Sequence, residues 1–94
     1  MQEMTNSQTF NYDKALEVLK EIKEYIDFPQ FQTTFKENSE NVKAIIEDTI
    51  KAVENKEDVG IVKKSLRILK DLAVGASGSL IASGIIALLG TLPL

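Results

Sequence analysis

The residue types that most often do chemistry are scarce in this chain. There is no histidine and no cysteine, so a thiol nucleophile is absent, a hydroxyl has no imidazole to activate it, and a thiolate or imidazole zinc site has no ligands. The remaining candidates are carboxylates. Glu17, Glu21 and Glu24 recur at four- and three-residue spacing, which places them on one side of a helix, where carboxylates can hold a metal or a substrate. Lys20 and Lys23 are interleaved with them, and a solvated, charge-balanced helix face accounts for the pattern. Glu47 and Asp48 belong to a second such face, with Glu47 four residues ahead of Lys51, a spacing that favours a helical ion pair. The glycines at 75, 78 and 84 lie in an apolar run. They lack the preceding strand and the following lysine that phosphate-binding loops need. These patterns argue against an enzyme, and neither a cofactor nor a small-molecule substrate is expected.

Lys63, Lys64, Arg67 and Lys70 form a basic collar on about two helical turns. They are able to touch phosphates, but the chain carries a net charge of −3 and no aromatic platform beside them, so nucleic acid is not expected as a partner. A solubilising collar at the start of an apolar helix explains the same residues. Charge is divided along the chain. Residues 1–58 hold seven lysines against thirteen acids, and residues 59–94 hold the four collar cations against Asp71 alone.

The elements that position these residues read as helices throughout, in one domain at most at this length. Residues 1–9 are polar and aperiodic and are expected to be a flexible lead-in to a single helical domain over 10–94. No N-terminal signal sequence is visible. A first helix is predicted over about 11–26, with Asn11 as N-cap and Ala15, Leu19, Ile22 and Ile26 on its apolar stripe. Asp27-Phe28-Pro29 ends it, because proline disfavours a helical conformation in the residue before it and fits the first turn of the next helix. A second helix is predicted over 29–54, with a break or bend near 38–39 where Asn38 and Ser39 are weak helix formers. Phe28, Phe31 and Phe35 read as a core plug between helices, and Val42, Ile45, Ile46, Ile50 and Val53 continue the stripe. Asp58 reads as the N-cap of a third helix over 59–90. The expected fold is all-α, a three- to four-helix antiparallel arrangement with a long apolar C-terminal helix, completed by oligomerisation.

That C-terminal segment is the most informative part of the sequence. From Leu72 to Leu94 there is no charge. Each interior glycine costs a helix about 1 kcal/mol relative to alanine, so glycines concentrated here need a purpose. Gly75, Ser79, Ser83 and Ala87 recur every fourth residue and would line up along one side of a helix, the arrangement that lets two backbones approach closely. Leu80, Ile81, Ile85 and Leu88 would supply buried area on the other sides. A helix apolar all round must be covered, and the remaining helices look too short to cover it. Three readings follow: a buried helix of a soluble homo-oligomer, a membrane anchor or pore-forming helix over 72–94, or a helix docked into a larger partner.

The stretch Ile68-Leu69-Lys70-Asp71-Leu72-Ala73-Val74-Gly75-Ala76-Ser77-Gly78-Ser79-Leu80-Ile81-Ala82-Ser83-Gly84 resembles the C-terminal tails of bacterial abortive-infection proteins of the AbiTii type, and of small proteins encoded near anti-phage systems. The polar lead-in Thr5-Asn6-Ser7-Gln8-Thr9-Phe10 is similar to theirs as well. The match covers about a third of the chain and lacks the N-terminal portion of the larger proteins. The matching positions are Gly75, Ala76, Gly78, Leu80 and Ala82. The resemblance implies a setting, bacterial phage defence, and not an activity. The expectation is therefore a non-enzymatic, cytoplasmic helical module that self-associates through Gly75, Ser79, Ser83 and Ala87 with Leu80, Ile81, Ile85 and Leu88. The alternative is a tail-anchored or pore-forming effector at the bacterial inner membrane. A membrane or a larger defence-system protein is the further partner each reading allows.

Overall fold

A computed structural model describes residues 10–76 and 78–93, so the lead-in expected over 1–9 lies outside the described residues. Among the described residues the fold is all-helical, with five α-helices. These are α1 (Tyr12–Glu24), α2 (Pro29–Phe35), α3 (Ser39–Glu54), α4 (Val59–Gly75) and α5 (Leu80–Leu89). Short 3-10 turns, Tyr25–Asp27 and Lys36–Asn38, join the first three helices.

Local chemistry sets the boundaries. The Asn11 side chain accepts from the Lys14 backbone N–H at 3.0 Å, starting α1, and the Asp58 carboxylate accepts from the Gly60 N–H at 3.0 Å, starting α4. Both satisfy donors that the first helical turn leaves free. Pro29 opens α2, which ends where Lys36 takes a left-handed φ of 51°. Lys56 has a similar φ of 52°. There the Glu57 N–H donates to the Ala52 carbonyl at 2.9 Å and the Lys56 N–H to the Val53 carbonyl at 3.0 Å. This paired closure of a helix C-terminus lets α4 fold straight back on α3. The Tyr12 hydroxyl donates to the Glu57 carbonyl and ties the start of α1 to that corner.

The core runs through all five helices. Val18, Leu19 and Ile22 of α1 meet Val42, Ile46 and Val53 of α3, with Val62, Leu66 and Leu69 of α4 completing the layer. Phe31 and Phe35, one helical turn apart, are buried with ring centroids 5.1 Å apart. Phe28 does not join that plug and is 47% exposed. Among the described residues the two buried polar side chains are both satisfied: Ser39 donates to the Lys36 carbonyl at 2.7 Å and Thr49 to the Ile45 carbonyl at 2.6 Å.

The single helix expected over 59–90 is instead two helices, α4 and α5, with a turn between them. Gly78 has φ +102°, which lies outside the helical region and which side-chain-bearing residues rarely adopt. The next residue, Ser79, is extended, and its hydroxyl accepts from the Ile81 N–H at 3.1 Å and the Ala82 N–H at 3.3 Å. A conformation open to glycine followed by a strong N-cap stops one helix and starts another. The turn also corrects the expectation that the apolar segment outgrows its own chain. A ten-residue helix is only about 15 Å long, and α5 packs on α1, α2 and α4 with Ile81, Ala82, Ile85 and Leu89 buried. No helix among the described residues is long and apolar enough to cross a membrane.

Candidate functional site

The α4–α5 turn faces α2 and the Lys36–Asn38 turn across a groove of about 1150 Å³. One hydrogen bond bridges the two sides, between the Thr34 and Ser79 hydroxyls at 2.8 Å. Ser79 thus caps α5 and staples it to α2 at once. Phe28, Thr33 and Lys36 line one wall, and Asp71, Leu72 and Gly75 line the other. Tyr25 sits at one end, edge-on to Phe28 with centroids 5.6 Å apart. It also lies over Gly84 of α5, where an added methyl carbon would come within 2.5 Å of the Tyr25 hydroxyl oxygen. Glycine at 84 is what lets the tyrosine ring close on α5.

Leu80 is the outlying feature. It belongs to the groove lining and opens α5, yet it is 91% exposed. Ser83 and Ala87 follow it at three- and four-residue spacing and are also exposed. The outward side of α5 is therefore an uncharged stripe that begins at the groove mouth. The chemistry offered is apolar contact with a mixed rim, Lys36 and Glu37 on one wall and Asp71 on the other.

The eight residues expected to form one self-association face are divided. Ile81 and Ile85 are buried in the chain's own core, and Leu88 is half-buried against it. Ile81 and Ile85 thus leave almost no surface for a second copy. The row Gly75–Ser79–Ser83–Ala87 is cut at its first step, since Gly75 ends α4 and Ser79 caps α5. Leu80, Ser83 and Ala87 remain together on the outward stripe. In the basic collar, Lys64, Arg67 and Lys70 are exposed on the outer face of α4 and Lys63 is partly covered.

Glu17, Glu21 and Glu24 stand exposed along α1. Among the described residues no three acidic side chains come together as a metal site would require. The groove itself, the Thr34–Ser79 staple and the Tyr25–Gly84 contact were not anticipated from sequence. The one local signal for them was the Gly78-Ser79 pair, a helix-stop residue followed by an N-cap residue. No protein-family model, curated protein or solved structure matches this chain.

Proposed function

We propose that this chain is a non-enzymatic helical module that self-associates through the outward stripe of α5 and the adjoining groove. The observation that carries the reading is Leu80, a large aliphatic side chain 91% exposed at the head of an uncharged stripe. A second copy is the occupant the surface favours, because the patch carries both halves of a contact. Leu80 protrudes beside an open groove, whose walls carry Lys36 and Glu37 on one side and Asp71 on the other. Under two-fold symmetry a patch meets itself. Leu80 of each copy would then enter the other's groove, and Lys36 of each would face Asp71 of the other. Small Ser83 and Ala87 permit the two α5 helices to approach closely.

The setting we propose, bacterial anti-phage defence in the cytoplasm, rests on the resemblance of residues 68–84 alone. The membrane-spanning alternative needs one helix through 72–94, and the turn at Gly78 and Ser79 interrupts that segment.

The test is the solution mass of the wild type and of Leu80→Asp, by sedimentation or light scattering. The expected result is a discrete wild-type oligomer and a monomeric variant with unchanged helical circular dichroism, since Leu80 contributes little to the fold. A wild type that stays monomeric at high micromolar concentration overturns the reading. So does an oligomer indifferent to Leu80→Asp.

A further inference from the structure

The outer face of α4 has a character that neither the core nor the groove requires. Ile61 is 55% exposed, Ile68 41% and Val74 50%. Ile61 and Ile68 are seven residues apart and so lie on one line, with Lys64 set between them at three- and four-residue spacing. Arg67 and Val74 form a second line seven residues apart, and Lys70 flanks them. Asp71 is the only acid on the helix. The helix thus presents aliphatic side chains and cations interleaved along about 20 Å, on a molecule whose residues 1–58 are net acidic.

We propose that this face docks on an anionic lipid surface, lying along it without crossing it. Charge complementarity selects an anionic partner, because three exposed cations, Lys64, Arg67 and Lys70, meet one carboxylate. The exposed isoleucines and valine select a partner with an apolar layer beneath its charge. Nucleic acid has a charged backbone but no such layer, and α4 offers no aromatic side chain for a base to stack on. At a bilayer interface the long lysine and arginine stems reach phosphate level while the aliphatic groups sink between them. Apart from Asp71, which also lines the groove, the face shares no residue with the α5 stripe, so docking and self-association can be tested apart.

The experiment is co-sedimentation of the full chain with phosphatidylcholine vesicles, with and without phosphatidylglycerol. Binding is expected only to the phosphatidylglycerol vesicles and should weaken as salt is raised. Each juxtaposed cation contributes about fivefold to partitioning, so Lys64→Gln with Arg67→Gln should reduce it about 25-fold. Ile61→Ser with Ile68→Ser should reduce it as well, and Asp71→Asn should strengthen it. All variants alter exposed positions, and unchanged circular dichroism checks that they fold. Leu80→Asp should bind vesicles like the wild type, which separates this proposal from the self-association reading. Equal binding to neutral vesicles overturns the proposal, as does no binding to anionic ones. Capture of a soluble acidic polypeptide without vesicle binding, lost in Lys64→Gln with Arg67→Gln, would overturn it in favour of a protein partner.

Discussion

Replacing Gly78 by alanine separates the two conformations open to the C-terminal segment, because it shifts their stabilities in opposite directions. In the folded chain Gly78 has φ +102°, and a Cβ built there meets nothing within 4 Å. The effect of alanine is therefore backbone strain alone, about 1–3 kcal/mol for a side-chain-bearing residue in so sparsely populated a region. Restricting the unfolded chain offsets about 0.4–1 kcal/mol of this. A net loss of about 1–2 kcal/mol follows, and each kcal/mol lowers Tm by about 4–8 °C in a domain of this size. If residues 59–90 instead formed one straight helix, Gly78→Ala would stabilise it by about 1 kcal/mol. Gly75→Ala is the internal control. Gly75 ends α4 with ordinary backbone angles and open space around it, so alanine there should be neutral or stabilising by up to about 1 kcal/mol. Denaturant titration followed by far-UV circular dichroism reads both variants. If Gly78→Ala is as stable as the wild type or more so, the turn is not the ground state and the reasoning built on it fails.

Ser79→Ala removes the cap of α5 and the bond to Thr34 together, and should cost about 1–2 kcal/mol. Thr34→Val removes only the bond and should cost about 0.5–1.5 kcal/mol. Because the two positions share one hydrogen bond, a double-mutant cycle by denaturant titration should give non-additive losses, and strict additivity would show the staple to be absent. Within α5, Ile85→Ala should cost about 2–5 kcal/mol because Ile85 is fully buried. Leu80→Ala, five residues earlier in the same helix, should change monomer stability by less than about 0.5 kcal/mol. Equal losses, measured at a concentration where the chain is monomeric, would mean that α5 is oriented differently.

The helical character of the chain was legible because each stripe repeats at helical spacing and the capping side chains precede it. Asn11 and Asp58 are read directly from sequence, and their hydrogen bonds follow from the free donors of any first turn. What misled was the scale of the apolar segment. A run from 72 to 94 without charge reads as one object, since hydropathy is summed over a window. The turn depends on two residues, Gly78 and Ser79, whose effect is conformational and adds nothing to a hydropathy sum. The candidate site was less legible still. The groove lies where α2 ends at Lys36, whose φ is +51°, and lysine carries no sequence signal for that geometry. Phe28 fits the spacing of Phe31 and Phe35 but precedes the proline that opens α2, so its ring points away from their plug and is half exposed.

The turn changes what the small residues are for. A straight helix would use Gly75, Ser79, Ser83 and Ala87 as one row for a neighbouring helix. In the folded chain the close approach is made one position away, at Gly84, and its partner is the Tyr25 ring of the same molecule. Gly78 makes the turn and Ser79 the cap, so the core and the corner account for those residues in full. They do not account for the outward side of α5. Leu80, Ser83 and Ala87 touch little of their own chain, and on a monomer any of the three would carry a charge at no cost to the core. The outer faces of α1 and α3 follow that rule, with charged side chains along them. The uncharged run persists past the point where burial within one chain requires it, and the surplus falls on the stripe that leads into the groove. The second copy we propose would cover that stripe and account for the missing charge, and Leu80→Asp puts a charge back at the position where the surplus is greatest.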